Sequence, residues 1–252
     1  MRLENMIFVF LSVLEIICAE NVERALPEGN IRGTRKSKTL VDGSKVTVDV
    51  YYGVRYGTAD RWAEPKDALQ RDRHVNPEET PYCPNTSTLN QTEDCLTLDL
   101  FIPKGFDGDN LVLYLPPNPT SLPYAPRTFP MYDGSILSAK LNTVFALVRS
   151  RQYLFGYLNF NDTIGNFGLS DQKQAIKFMT KSFKFLFGRE PSITVIGDYM
   201  GAEQASYHLF DSALSISKFV LYGGAPNYRK PIDDISIYQN MCKVYMVGEA
   251  NG

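Results

Sequence analysis

Short runs of unbroken apolar residues recur along this chain, separated by stretches in which apolar positions return at helical spacing. Val46, Val48 and Val50 alternate along one stretch, as do Leu96, Leu98, Leu100 and Ile102 along another, and each set predicts a strand. Leu111–Leu115, Val144–Val148, Ile193–Ile196 and Phe219–Leu221 are continuous instead, the pattern of strands buried on both faces. Between the second and third of these runs, Ala175, Ile176, Met179, Phe183 and Leu186 repeat at helical spacing. Ser170 is placed to cap that helix, whose apolar stripe is expected to pack on the core. Strands alternating with helices predict an α/β fold with a mostly parallel sheet and flanking helices. There is no internal repeat. The proline-rich stretch from Pro116 to Pro130 reads as a surface loop within one domain.

The chain has 252 residues, of which 44% are hydrophobic and 21% charged, enough apolar material for a sizeable core. Its formal net charge of −2 offers no general attraction to nucleic acid or to anionic membranes. Arg32, Arg35, Lys36 and Lys38 form one basic cluster, expected to be a solvated strand face. The first residues read as an export signal: Arg2, an apolar run from Met6 to Cys18 broken by Glu15, then Ala19. The run is too short to span a bilayer, and no other stretch is long enough. A leader over residues 1–19, one domain over 20–252 and secretion are therefore expected. Asn85, Asn90 and Asn161 stand in glycosylation sequons suited to that route, whereas Pro119 disqualifies Asn118. No cofactor motif and no metal-ligand cluster is present, and His74 sits in a polar stretch as a solvated loop residue.

The candidate chemistry centres on Gly197-Asp198-Tyr199-Met200-Gly201. A strand, a turn of the form G-x-x-x-G and a helix with small residues Ala202 and Ala205 follow in order. This is the frame of a nucleophile elbow with tyrosine in the serine position. Other stretches agree with it: Ile31-Arg32-Gly33-Thr34, Tyr52-Gly53-Val54-Arg55-Tyr56-Gly57, Glu93-Asp94-Cys95-Leu96 and Gly165-Asn166-Phe167-Gly168-Leu169-Ser170-Asp171-Gln172. On these motifs the chain resembles the type-B carboxylesterase/cholinesterase family from about Gly29 to Cys242. The resemblance implies the N-terminal half of an α/β-hydrolase fold with an N-terminal β-hairpin.

That resemblance also shows what is missing. The family's oxyanion hole is a glycine-rich turn after an apolar strand, and here that turn reads Pro116-Pro117-Asn118-Pro119. Proline has no N–H to offer a developing oxyanion, and losing one such donor costs about 3 kcal/mol of barrier. The family's acid and histidine lie well downstream of the serine, and this chain ends 53 residues after Tyr199. His208, on the helix after the elbow, is expected to have a packing role. A tyrosine nucleophile would need a nearby base to activate a phenol whose reference pKa is near 10, and none is visible.

The resemblance further implies a Cys83–Cys95 disulfide and leaves Cys242 odd, either free or open to another chain. The loop between the first two cysteines carries no aromatic residue. Trp62, the only tryptophan, lies upstream of both, so a choline site of the cholinesterase kind is not expected. A sheet ending near Phe219–Leu221 is expected to leave an apolar edge, a route to oligomers. The leading expectation is a non-catalytic secreted carboxylesterase-like protein that binds an unidentified extracellular partner, as serine-less adhesion relatives such as neuroligins do. Two alternatives stand beside it: a truncated remnant without independent function, and a carboxylic-ester hydrolase as the family implies. For binding, the candidate surface is the elbow, the Pro116–Asn118 turn and the loop from Tyr124 to Tyr132.

Overall fold

A computed structural model describes residues 20–40, 42–70, 80, 82–84, 91–117, 133–158 and 165–224. The expected leader, His74, Asn85, Asn90, Asn161, Asn118, Pro119, the Tyr124–Tyr132 loop and Cys242 lie outside the described residues.

Among the described residues eight strands form one sheet: β1 (Glu20–Leu26), β2 (Gly29–Thr39), β3 (Lys45–Arg55), β4 (Thr97–Pro103), β5 (Asn110–Leu115), β6 (Val144–Val148), β7 (Ser192–Asp198) and β8 (Lys218–Tyr222). Their order in space is β1-β2-β3-β4-β6-β5-β7-β8. The sheet is mixed. From β1 to β4 and on to β6 every pairing is antiparallel. The strands β6, β5, β7 and β8 then pair in parallel, which is where the continuous apolar runs fall. β1 and β2 are the expected hairpin, closed by Pro27 and Glu28 with Leu26 opposite Gly29.

The helices are α1 (Ser135–Lys140), α2 (Tyr153–Tyr157), α3 (Phe167–Phe187) and α4 (Met200–Tyr207), the last continued by a 3₁₀ turn at His208–Phe210. α3 starts earlier than a cap at Ser170 requires. Asn166 is its N-terminal flanking residue, and Ser170 lies in the first turn with its N–H donating to the Asn166 carbonyl. Burial of Phe167 and Gly168 explains the extra turn, because both anchor the start of the helix in the interior. Ala175, Ile176, Met179 and Phe183 face the main core beside Leu111, Leu113, Ile193 and Val195, as their period predicted. Each fully buried side chain of that size contributes on the order of 2 kcal/mol. Gly188, in the left-handed region at φ 67°, ends α3 by returning its N–H to Lys184.

The other face of the sheet holds a smaller core of Val48, Val50, Tyr52, Phe101, Val112, Phe145 and Leu147, with Ala139 of α1 against it. The basic residues of β2 are matched, not clustered freely. Arg35 forks onto Asp49 and also reaches Glu20, Arg32 pairs with Glu23, and Lys38 pairs with Asp133. Each exposed pair is worth less than about 1 kcal/mol, so they tidy the hairpin more than they stabilise it.

Candidate functional site

β7 delivers the chain to the elbow, and three close approaches fix its shape. A Cβ on Gly197 would lie 2.4 Å from the Gly201 carbonyl oxygen, and one on Gly201 would lie 2.1 Å from the Leu115 carbonyl oxygen and 2.7 Å from that of Pro116. A Cβ on Gly224 would lie 2.2 Å from the Tyr199 carbonyl oxygen. Only glycine therefore lets α4 press on the end of β5 and the chain after β8 press on the elbow.

Tyr199 takes φ 48° and ψ −111°, a conformation that L side chains rarely adopt. It is held there by its own backbone. The Tyr199 N–H donates to the Tyr222 carbonyl at 2.8 Å, and its carbonyl accepts from the N–H groups of Ala202 and Glu203 at 3.0 and 3.1 Å. Such a residue stores about 1–3 kcal/mol, and the surrounding bonds supply what keeps it. Its side chain is exposed, as is that of Met200. Among the described residues the Tyr199 hydroxyl makes no hydrogen bond. Asp198, next to it, accepts from the Tyr114 hydroxyl at 3.3 Å on one oxygen, while its buried Oδ1 has no hydrogen-bond partner.

Pro116 and Pro117 follow β5 directly, within reach of the elbow through the contact at Gly201. That contact presents the Leu115 and Pro116 carbonyl oxygens to the helix, and neither proline has an N–H to aim at a ligand.

His208 is buried behind the elbow. Its Nε2 lies 3.0 Å from Gln172 Oε1, and the Gln172 carboxamide donates to Gln204 Oε1 at 2.7 Å. Burial pushes the imidazole down to about 4, so it is neutral at physiological pH and packed into a glutamine network.

Two buried ion pairs rest on arginines that motif reading did not single out. After β6 the chain runs Arg149-Ser150-Arg151, and both guanidinium groups are buried. Arg149 forks onto Asp99, its Nη1 2.9 Å from Oδ1 and its Nη2 on Oδ2. Arg151 binds Asp171 three times, through its backbone N–H, Nε and Nη2 at 2.9, 2.9 and 2.7 Å. Two arginines directly behind a fully buried strand were the available signal, since buried charges need partners. Gly53 completes the first pair. The β3–β4 register shifts between Tyr51 and Val54, Gly53 adopts φ 64°, and its N–H turns onto Asp99 Oδ1 at 3.0 Å.

Around Glu93-Asp94-Cys95-Leu96 the structure joins Cys83 to Cys95 in a disulfide. Glu93 meets the Arg61 fork, and Asp94 accepts from Arg55 at 2.7 Å. Trp62 is half-exposed and donates its Nε1–H to the Leu154 carbonyl at 3.0 Å, away from the cysteine loop in sequence. No cluster of His, Cys, Asp and Glu suited to a metal occurs among the described residues.

The Carboxylesterase family profile matches residues 20–239. Human neuroligin-2 is 31% identical over 173 residues, covering 57% of this chain and 21% of that protein. Cat carboxylesterase 5A is 26% identical over 225 residues, covering 79% of this chain and 40% of that protein. Acetylcholinesterase of Electrophorus electricus is 28% identical over 141 residues, covering 54% and 22%. Among solved structures, a PNB esterase superposes with a TM-score of 0.71 at 22% identity, covering 89% of this chain and 48% of that one. The chain thus spans less than half the length of the relatives it matches.

Proposed function

This chain belongs to the carboxylesterase family, and we propose that within it the protein works by binding and not by ester hydrolysis. The observation that carries the reading is Tyr199. The elbow backbone that would present a serine is fully built, yet it presents an exposed phenol with no base bonded to it among the described residues. Pro116 and Pro117, at the end of β5 beside the elbow, support the same reading, because a donor pair for an oxyanion cannot be made from them.

Binding would use the carboxyl ends of β5 and β7. The sheet order reverses there, since β5 is followed in sequence by β6 on one side while β7 lies on its other side. Open α/β sheets take ligands at such a switch point. Tyr199, Met200 and Tyr222 form an exposed, largely apolar rim at that place, suited to a protein surface. Neuroligin-2 among the relatives favours this reading over a small-molecule site. No helix among the described residues is long and apolar enough to cross a membrane. The leader-like residues 1–19 and the three sequons support secretion.

The test is a fluorophosphonate label together with p-nitrophenyl ester turnover, on the secreted chain and on Tyr199→Ser. Neither protein should label or turn over, because Tyr199→Ser restores a nucleophile beside Pro116 and Pro117, which supply no oxyanion donors. Turnover by either one would return the chain to the hydrolases.

A further inference from the structure

We propose that Trp62 is a stacking platform for a neutral, β-linked pyranose, with the Arg61–Glu93 fork beside it holding the hydroxyl groups of the sugar. The inference does not rest on the reading of the elbow, because Trp62 stands on a separate loop.

That loop is closed at its base and anchored at its tip. The Thr58 and Lys66 backbones exchange hydrogen bonds of 2.9 and 2.8 Å, and the Ala63 N–H donates to the Asp60 carbonyl at 3.2 Å. The Asp60 carbonyl also accepts from Nη1 of Arg151, the arginine buried on Asp171. Trp62 takes φ 57°, in the left-handed region that a bulky side chain rarely enters, and residues held in such conformations gather at ligand clamps. Its indole N–H is spent on the Leu154 carbonyl at 3.0 Å, which fixes the ring by its edge. The residue is nevertheless 42% exposed, although tryptophan is highly buried on average. A rigid ring is thus presented to solvent.

The surroundings select the ligand. The Arg61 guanidinium lies 5.7 Å from the Trp62 ring centre and 5.3 Å from that of Phe155, so one face of the indole is already taken by a cation. The same guanidinium forks onto Glu93, through Nε at 3.0 and 3.1 Å and through Nη2. The two half-exposed side chains cancel each other's charge, which disfavours a charged ligand. Among the described residues Nη1 of Arg61 makes no hydrogen bond, and the Glu93 oxygens keep acceptor capacity. A flat apolar face bordered by a planar donor and acceptors fits a pyranose whose hydroxyls are equatorial. Its axial C–H bonds lie on the indole while the hydroxyls at its edge reach the fork. β-linked glucose and N-acetylglucosamine units have that shape.

Trp62 is the only tryptophan in the chain, so the fluorescence of the secreted protein reports on this place alone. Chitotriose should give a saturable change in emission, and sorbitol, an acyclic polyol without a ring face, should give none. Arg61→Met keeps the indole and should weaken chitotriose binding about tenfold. Saturation-transfer NMR reads the variant that lacks the fluorophore. Trp62→Ala should abolish transfer to the axial sugar protons, whereas Phe210→Ala, at another exposed aromatic residue, should leave it intact. Melting temperatures show that each variant is folded. Enzymatic removal of N-linked sugar separates two sources of the ligand: a red shift on removal assigns the stacked sugar to this chain, and chitotriose binding without that shift assigns it to another molecule. No saturable response to chitotriose before or after removal, or an equal response to sorbitol, overturns the proposal. So does affinity unchanged by Arg61→Met, transfer that survives Trp62→Ala, or transfer lost equally in Phe210→Ala.

Discussion

Asp99 and Asp198 sit in one sheet, on strands separated by two others, and are treated in opposite ways. Asp99, within β4, is fully buried and fully used, with one oxygen taking the Gly53 N–H and both taking the Arg149 fork. Asp198, at the end of β7, has one long bond from Tyr114 and a buried oxygen with none. Buried polar groups are normally satisfied, and departures gather where a site once imposed or still imposes its own demands. Both Asp99 oxygens are bonded, although the Nε of its partner Arg149 is buried without a hydrogen-bond partner. The elbow around Asp198 is held in shape by glycine contacts and backbone bonds, while its side chains are left poorly matched.

The sharpest way to break this contrast is to remove each carboxylate. Asp99→Ala leaves Arg149 buried and unpaired and should cost about 3–5 kcal/mol, enough to unfold much of the protein, whereas Asp198→Ala should cost less than about 1 kcal/mol. Urea midpoints for the two variants check the order, and equal losses would remove the distinction. His208 gives the next largest effect. Its folded pKa of about 4 lies below the unfolded value of 6.5, so between those values the unfolded chain binds more protons. Stability should therefore fall as pH drops from 6.5 towards 4, by on the order of 3 kcal/mol at the acid end. Comparing His208→Gln with wild type across that window should flatten the slope. A smaller effect sharpens the elbow side: Tyr199→Gly removes the strain at φ 48° and should raise stability by roughly 1 kcal/mol, read as a higher melting temperature.

Much of the frame was legible because it depends on local pattern. The apolar runs 111–115 and 144–148 became β5 and β6, buried on both faces as expected. The runs 193–196 and 219–221 became β7 and β8 within a residue or two but are most buried only at alternate positions, because these strands lie towards the end of the described sheet with less packed over their second face. The Cys83–Cys95 bridge and the strand-turn-helix at Tyr199 were legible through motifs whose spacing is short. The start of α3 was not, because burial of Phe167 and Gly168 outweighs the capping preference of Ser170. The partners of Asp99 and Asp171 were also hidden. Arg149 lies 50 residues from Asp99, and Arg151 lies 20 from Asp171, so only the tertiary arrangement reveals either pair.

The strand order has a consequence for how the chain assembles. β6 lies between β4 and β5 although it is synthesised after both. A growing polypeptide can zip β1 to β4 as they emerge, but β5 has no neighbour until β6 slots in on one side and β7 on the other. Asp99 must wait in a hydrated, open groove for an arginine that arrives with the end of β6. Closure of the sheet centre therefore depends on long-range pairings, the kind that slow folding. It also makes the interval between the synthesis of β5 and of β7 the time when this protein would most need a chaperone.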